Sequence, residues 1–157
     1  MKLTALVRLV SGLAIVFAAT ITPAMAGEER GSPEEAQALV SRAVAMYDQA
    51  GAAATFAAIE DPKGAFRDRD LYIFVFGPAR SIVAHGVNHD LDGTVADTLK
   101  DVDGAAFGTR LVDDATSEGA WVDYKWNDPV SGEVLQKSSW VVRHDGHVFG
   151  AGVYKTD

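Results

Sequence analysis

The chain has 157 residues, 48% of them apolar, with 22 acidic against 14 basic side chains for a net charge of −8, and no cysteine. That charge balance speaks against nucleic acid and anionic lipid as partners, but not against a small anion held by one buried cation. The missing cysteines exclude disulfides and a thiol nucleophile.

Residues 1–26 carry the three parts of a secretory signal peptide. Lys2 and Arg8 give a positive start, Leu9 to Ala19 is almost wholly apolar, and Ala24-Met25-Ala26 after Pro23 is a small-x-small cleavage site. The apolar run is shorter than the ~20 residues a spanning helix needs, and no cysteine follows it as a lipid acceptor. Cleavage before Gly27 is the expectation. It leaves residues 27–157, 131 residues of net charge −10, as one domain able to build its own core. Its place is the periplasm or outside the cell, and no later stretch suits a membrane span.

Ser32-Pro33-Glu34-Glu35 reads as a helix start, with Ser as cap, Pro first and Glu three after the cap. Ala36, Leu39, Val40, Ala43, Val44 and Tyr47 then form one apolar stripe. Gly51 ends or bends this helix. A second short helix, Ala52 to Ile59, buries Phe56 and Ile59, and Asp61-Pro62-Lys63-Gly64 breaks it.

From Asp70 the period becomes two. Leu71 to Phe76 is a strand apolar on both faces, with Tyr72, Phe74 and Phe76 on one of them. After the turn Gly77 to Ser81, Ile82 to Gly86 returns antiparallel. Residues 88–104 are polar and Asp-rich, a long connection with one helical turn, and Leu111, Val112 and Ala115 suggest a short helix before Gly119. Three strands follow: Trp121 to Trp126, Leu135 to Arg143 and His147 to Tyr154, the last two joined by the hairpin signal Asp145-Gly146.

Residues 119–126, Gly-Ala-Trp-Val-Asp-Tyr-Lys-Trp, hold the densest information. Alternation puts Trp121, Asp123 and Lys125 on one face and Val122, Tyr124 and Trp126 on the other. Large rings on both faces mean that both are covered, by core on each side or by a ligand pocket on one. The fold class is α+β: a PAS-like antiparallel five-stranded sheet, the N-terminal helix packed on one face and the long connection over the other.

Several stretches resemble the single Cache domain of bacterial sensors. They are Asp70-Leu-Tyr-Ile-Phe-Val-Phe, Ala84-His85-Gly86-Val87-Asn88, Lys100-Asp101-Val102-Asp103-Gly104 with Phe107-Gly108, residues 119–126, Pro129, Lys137-Ser138-Ser139, and Gly150-Ala151-Gly152-Val153-Tyr154. The resemblance covers about residues 34–155, most of the chain after the expected cleavage site. It implies an extracellular small-molecule sensor fold, of a type known for short carboxylates and similar metabolites. The chain departs from the family at Gly77-Pro78-Ala79-Arg80, where an Asp-x-x-Gly-like turn is common, and at Trp140, where Tyr is common. Because no transmembrane helix or signalling domain follows, the resemblance implies a standalone exported form.

Each candidate has a structural alternative. Lys137 in mid-strand is solvated if it points outward; pointing inward, it needs a counter-charge, which a ligand carboxylate would supply. Tyr72 and Phe74 are core or pocket wall. His85 is a satisfied edge histidine or a pocket donor responsive to pH near neutrality. The expected site comprises Tyr72, Phe74, His85, Trp121, Tyr124, Trp126, Lys137 and Trp140, on the sheet face opposite the helix and under the 88–118 connection. Trp121 and Tyr124 contribute together only if their strand twists or bulges. Trp126 and Trp140 would bar acids longer than two to four carbons.

Metal and catalytic readings are weaker. His85 and His89 straddle a strand end, His144 and His147 flank a turn, and the Asp-rich stretch lacks the spacing of a calcium loop. There is no Gly-x-Ser-x-Gly or His-Glu-x-x-His motif. Lys137 and Ser139 share a face but nothing supplies an oxyanion hole. No cofactor is expected, and no enzyme. Two readings remain: an exported module that binds a small organic acid and reports to a membrane receptor or transporter, and a structural or interaction domain that kept the fold without a ligand.

Overall fold

The structure is a computed structural model and describes residues 29–155. The expected signal peptide and its cleavage site lie outside the described residues.

Helix α1 spans Pro33–Glu60. The Ser32 hydroxyl accepts from the Glu35 backbone N–H at 3.2 Å, and the Glu35 carboxylate accepts from the Ser32 N–H at 2.8 Å, a reciprocal cap. Gly51 (φ 79, ψ 173) is non-helical and breaks α1 into two helical halves that meet at a kink, as the two expected helices do. The stripe buries Ala36, Leu39, Val40, Ala43 and Ile59, while Phe56 is half-buried.

The strands are β1 (Arg67–Asp68), β2 (Leu71–Phe76), β3 (Ile82–His85), β4 (Ala120–Asn127), β5 (Val134–His144) and β6 (His147–Lys155), all antiparallel. The order is β1-β2-β6-β5-β4, with β3 also paired to β2. The five expected strands are present. The sixth, β1, is a two-residue strand folded back onto β2 through Arg69 at φ 56; two exposed charged residues carry no alternation from which to read it. The chain's first long strand, β2, is therefore central and wholly buried. The β5–β6 hairpin turns on Asp145 (φ 46) and Gly146 (φ 73), both left-handed as a two-residue loop requires.

Between β3 and β4 the connection forms two short 3-10 turns, His89–Leu91 and Ala96–Thr98, and helix α2, Phe107–Asp113. Arg80 pins it by pairing with Asp97 at 2.7 Å and Asp113 at 2.5 Å. The Asp101 carboxylate accepts from the backbone N–H of Asp103, Ala105 and Lys125. Two apolar cores result. Leu39, Val40, Ile73, Val75 and Phe149 fill the space under α1; Phe76, Phe107, Leu111, Val122 and Val141 fill that under the connection. Among the described residues no helix is long and apolar enough to cross a membrane.

Candidate functional site

Lys137 lies on β5 with its side chain toward the connection, completely buried. Its ammonium donates to the Tyr72 hydroxyl at 2.7 Å and to the Tyr154 hydroxyl at 3.2 Å, and stands 4.0 Å and 4.7 Å from the centres of those rings. Tyr154 in turn donates to the Asn127 carbonyl at 2.7 Å. Register explains the grouping: Lys137 is the strand partner of both Tyr124 and Tyr154. Gly152 explains the space. A Cβ there would stand 2.4 Å from Lys137 Cε and 2.3 Å from Ser139 Oγ, so only glycine lets the lysine stem lie across β6.

An ammonium has three donors, and no carboxylate among the described residues pairs with this one. Burial lowers its pKa to about 7, although the charges of Asp70 and Asp128 oppose the shift. Those two buried carboxylates are held instead by Arg30, at 3.5 Å and 2.8 Å. Burial would raise the Asp128 pKa, but bonds from Ser131 and Arg30 and the Ser131 and Val130 N–H groups leave it below the usual carboxylate range.

His85 is buried, its ring 5.0 Å from Tyr72. Its Nδ1 accepts from the Asn88 N–H at 3.1 Å and the Val87 N–H at 3.4 Å. That fixes the tautomer with the proton on Nε2, a donor with no partner among the described residues. Burial, and then the Lys137 charge, push the His85 pKa down to about 3, so the ring is neutral.

Tyr72, His85 and Trp126 form a partition. Inside it is an apolar cavity of about 20 Å³, walled by Phe74, Phe76, Leu111 and Phe107, with Phe107 stacked on Tyr124 at 4.3 Å. Outside it is an open polar cleft of about 300 Å³, flanked by Arg67, Asn88 and Asp128. The inner space holds little more than one water. Polar hydrogens on the partition and apolar walls behind it suit a ligand with one charged end and a short tail.

Five expected residues, Tyr72, Phe74, His85, Tyr124 and Trp126, line the inner space, and Lys137 lies behind Tyr72 without lining either space. Trp121 and Trp140 lie elsewhere, and the expectation for them is corrected. β4 keeps strict alternation, so Trp121 faces the α1 side together with its strand partner Trp140, ring centres 5.3 Å apart. Sequence reasoning missed Tyr154, Gly152 and Phe107 as parts of the site. The Gly-x-Gly-x-Tyr alternation of β6 was a signal for the first two, since glycine inside a strand marks a close approach. Lys137 and Ser139 do not pair: the Ser139 hydroxyl bonds Tyr124 at 2.9 Å. Glu60, His89 and Asp92 bring ligand-type atoms within 4.8 Å of one another near the outer cleft, but this largely exposed trio carries no assignment.

The fold is similar to several solved structures. One is a methyl-accepting chemotaxis protein from Vibrio parahaemolyticus RIMD 2210633 (19% identity, TM-score 0.65, covering 77% of this chain and 86% of that one). Another is a periplasmic sensor domain of a chemotaxis protein (27% identity, TM-score 0.60, 78% and 90%). A third comes from work on carboxylic acid recognition by a Cache chemosensory domain (24% identity, TM-score 0.58, 78% and 88%). No curated protein matches the chain. The family model for single Cache domain 2 matches residues 10–157. The chain belongs to that family of sensory, small-ligand-binding domains, which work outside the cell or in the periplasm.

Proposed function

We propose that this protein is an exported sensor module for a short carboxylate, reporting its occupancy to a membrane receptor or transporter. The observation that carries the reading is Lys137: a buried ammonium with two tyrosine partners, no carboxylate and a depressed pKa. A ligand carboxylate at the partition is the counter-charge the site lacks. His85 Nε2 is a free donor at this wall, and Lys137 sits behind Tyr72, whose hydroxyl faces Tyr154. The tail lies inward against Phe74 and Leu111. The chain's similarity to a structure studied for carboxylic acid recognition supports the same class. Binding is the activity proposed, with Lys137 as a charge rather than a nucleophile.

The inner cavity is too small for a two-carbon acid without movement of the connection. Binding therefore couples to a shift of residues 86–118, which is what a sensor needs. The best small ligands gain at most about 1.5 kcal/mol per heavy atom, so a four-atom acid binds no tighter than roughly tens of micromolar. Two- to four-carbon acids in the micromolar to millimolar range are the expected ligands.

A thermal-shift screen of short organic acids, amines, purines and long-chain acids tests this. Stabilisation by short acids, lost in Lys137→Met, supports the reading. Stabilisation only by another class overturns the ligand. No stabilisation by anything favours the interaction domain without a ligand.

A further inference from the structure

β1 and β3 both pair with β2 along the edge opposite β6. Arg67 is the strand partner of Tyr72, and His85 the partner of Phe74. Partners in an antiparallel pair share a face, and so do residues two apart on one strand. Arg67, Tyr72, Phe74 and His85 therefore all point to the ligand side of the sheet. Arg67 and His85 stand beside successive residues of that face, about 7 Å apart along the edge. Both flank the outer cleft, with Asn88 on the same rim. At about 300 Å³ this cleft reaches the lower end of ordinary small-molecule sites, and the inner cavity of about 20 Å³ does not.

The other arginines among the described residues are engaged. Arg30 holds Asp70 and Asp128, Arg69 holds Asp68 and Glu35, Arg80 holds Asp97 and Asp113, and Arg110 holds Asp114. Arg42 donates to the Ala65 carbonyl, and Arg143 to the Val112 and Ala115 carbonyls. Arg67 alone has neither an ion pair nor a side-chain hydrogen bond among the described residues, although β1 pairing fixes its backbone. Its neighbour Asp68 is taken by Arg69 at 2.8 Å. Asp128, the one carboxylate in the cleft wall, is taken by Arg30 at 2.8 Å and accepts from Ser131 and Val130. Glu60 and Asp92 lie outside that wall. With Asp70 and Asp128 set against Arg30 and Lys137, the Arg67 charge is left uncompensated. Two more donors share the cleft. One is His85 Nε2 on a ring only 4% exposed. The other is the Asn88 side-chain NH2, since Asn88 Oδ1 already accepts from the Asp90 N–H at 3.1 Å.

We propose that the outer cleft seats a second acidic group, which makes short dicarboxylates the preferred ligands. One carboxylate stands at the partition, as in the sensor reading on which this inference rests. The other lies on the Arg67 guanidinium, whose paired N–H groups match the two oxygens of a carboxylate. A second charge cannot turn inward, because Phe74, Phe76, Leu111 and Phe107 offer it no partner. A monoacid points its methyl end at those walls. A diacid points its second head outward, into space that is already open. Arg67 is thus the residue that sets how many carboxylates are read.

The test compares butyrate with succinate, which has the same number of carbons and a carboxylate in place of the methyl end. Binding to the full chain is measured by calorimetry at pH 7 and low salt. Arg67→Gln removes an exposed charge, Arg67→Lys keeps the charge without the fork, and Lys155→Gln removes a cation away from the cleft; circular dichroism checks each fold. Succinate is expected to bind wild type at least fivefold tighter than butyrate. That advantage should vanish in Arg67→Gln, survive in part in Arg67→Lys and in full in Lys155→Gln, and shrink as salt is added. Butyrate should bind all four proteins equally. No advantage for succinate in wild type, an advantage that persists in Arg67→Gln, or an equal loss in Lys155→Gln overturns the proposal. Butyrate binding without any succinate advantage leaves the sensor reading standing and removes only the second seat. Succinate binding that depends on Arg67, with no monoacid bound, supports the second seat and overturns the monoacid reading.

Discussion

Lys137 Nζ lies 2.7 Å from the Tyr72 hydroxyl oxygen, and that bond does for the buried ammonium what a carboxylate usually does. Tyrosine is a neutral acceptor, so it offsets only part of the cost of burying a charge. The lysine is left close to its titration point at neutral pH, with a pKa of about 7.

Ligand affinity is therefore expected to depend on pH. A carboxylate bound in front of Tyr72 favours the charged lysine behind it and raises its pKa. Affinity stays on a plateau down to the ligand's own pKa and falls as pH rises above about 7, by up to tenfold per unit. Calorimetry of a short acid at pH 6, 7 and 8 measures it, with proton uptake visible in buffers of different ionisation enthalpy. A flat affinity over this range would mean that the Lys137 charge does not act on the ligand.

His85 sets an acid limit on stability. Its folded pKa of about 3 lies below the ordinary 6.5, so the unfolded chain takes the proton first. Stability from this group is complete above pH 6.5 and is lost as pH falls toward 3, at about 1.4 kcal/mol per unit. Urea titrations at pH 7, 5.5 and 4.5 should show wild type converging on His85→Gln as pH drops. Parallel curves would mean that the ring does not stay neutral in the fold.

Gly152→Ala should damage the site without touching a ligand contact. The new Cβ meets Lys137 Cε at 2.4 Å and Ser139 Oγ at 2.3 Å. Overpacking of this kind costs about 1–3 kcal/mol. Displacing the ammonium from both tyrosines should also weaken acid binding at least tenfold. Wild-type affinity in a folded variant would show that the lysine position is not critical.

Asp128→Asn removes one carboxylate from Arg30, which pairs with it at 2.8 Å. Breaking a buried pair typically costs about 3–5 kcal/mol. Because Arg30 is partly exposed at 19%, the lower end is expected here. Limited proteolysis should cut earlier at the segment before Ser32, and unchanged cleavage would argue against the clamp.

Much of the fold was legible because its signals are local. The Ser32–Glu35 cap, the alternation from Leu71 and the Asp145-Gly146 turn each depend on a few neighbours, and each forms as read. β1 was not legible, because Arg67 and Asp68 pair with β2 only through backbone hydrogen bonds. The order that makes β2 central also comes from long-range pairing. For the site, alternation was enough to set Trp121 and Tyr124 on opposite faces, but the register that pairs Tyr124 with Lys137 was not legible. Trp121 and Trp140 fall on the far face because strand pairing, not ring size, decides it. Arg30 was out of reach, since its meeting with Asp70 and Asp128 joins residues far apart in sequence and leaves no periodic trace.

The break at Gly51 divides the longest helix mechanically. A continuous helix carries twist from end to end through its hydrogen-bond ladder, but a residue at φ 79, ψ 173 interrupts that ladder. The first half of α1 packs its Ala36, Leu39 and Val40 on the sheet independently of Ile59 beyond the break. The second half stays with the start of the connection, where the Ile59 carbonyl abuts Gly86. The two halves of α1 are thus separate packing units, one seated on the sheet and the other against the start of the connection.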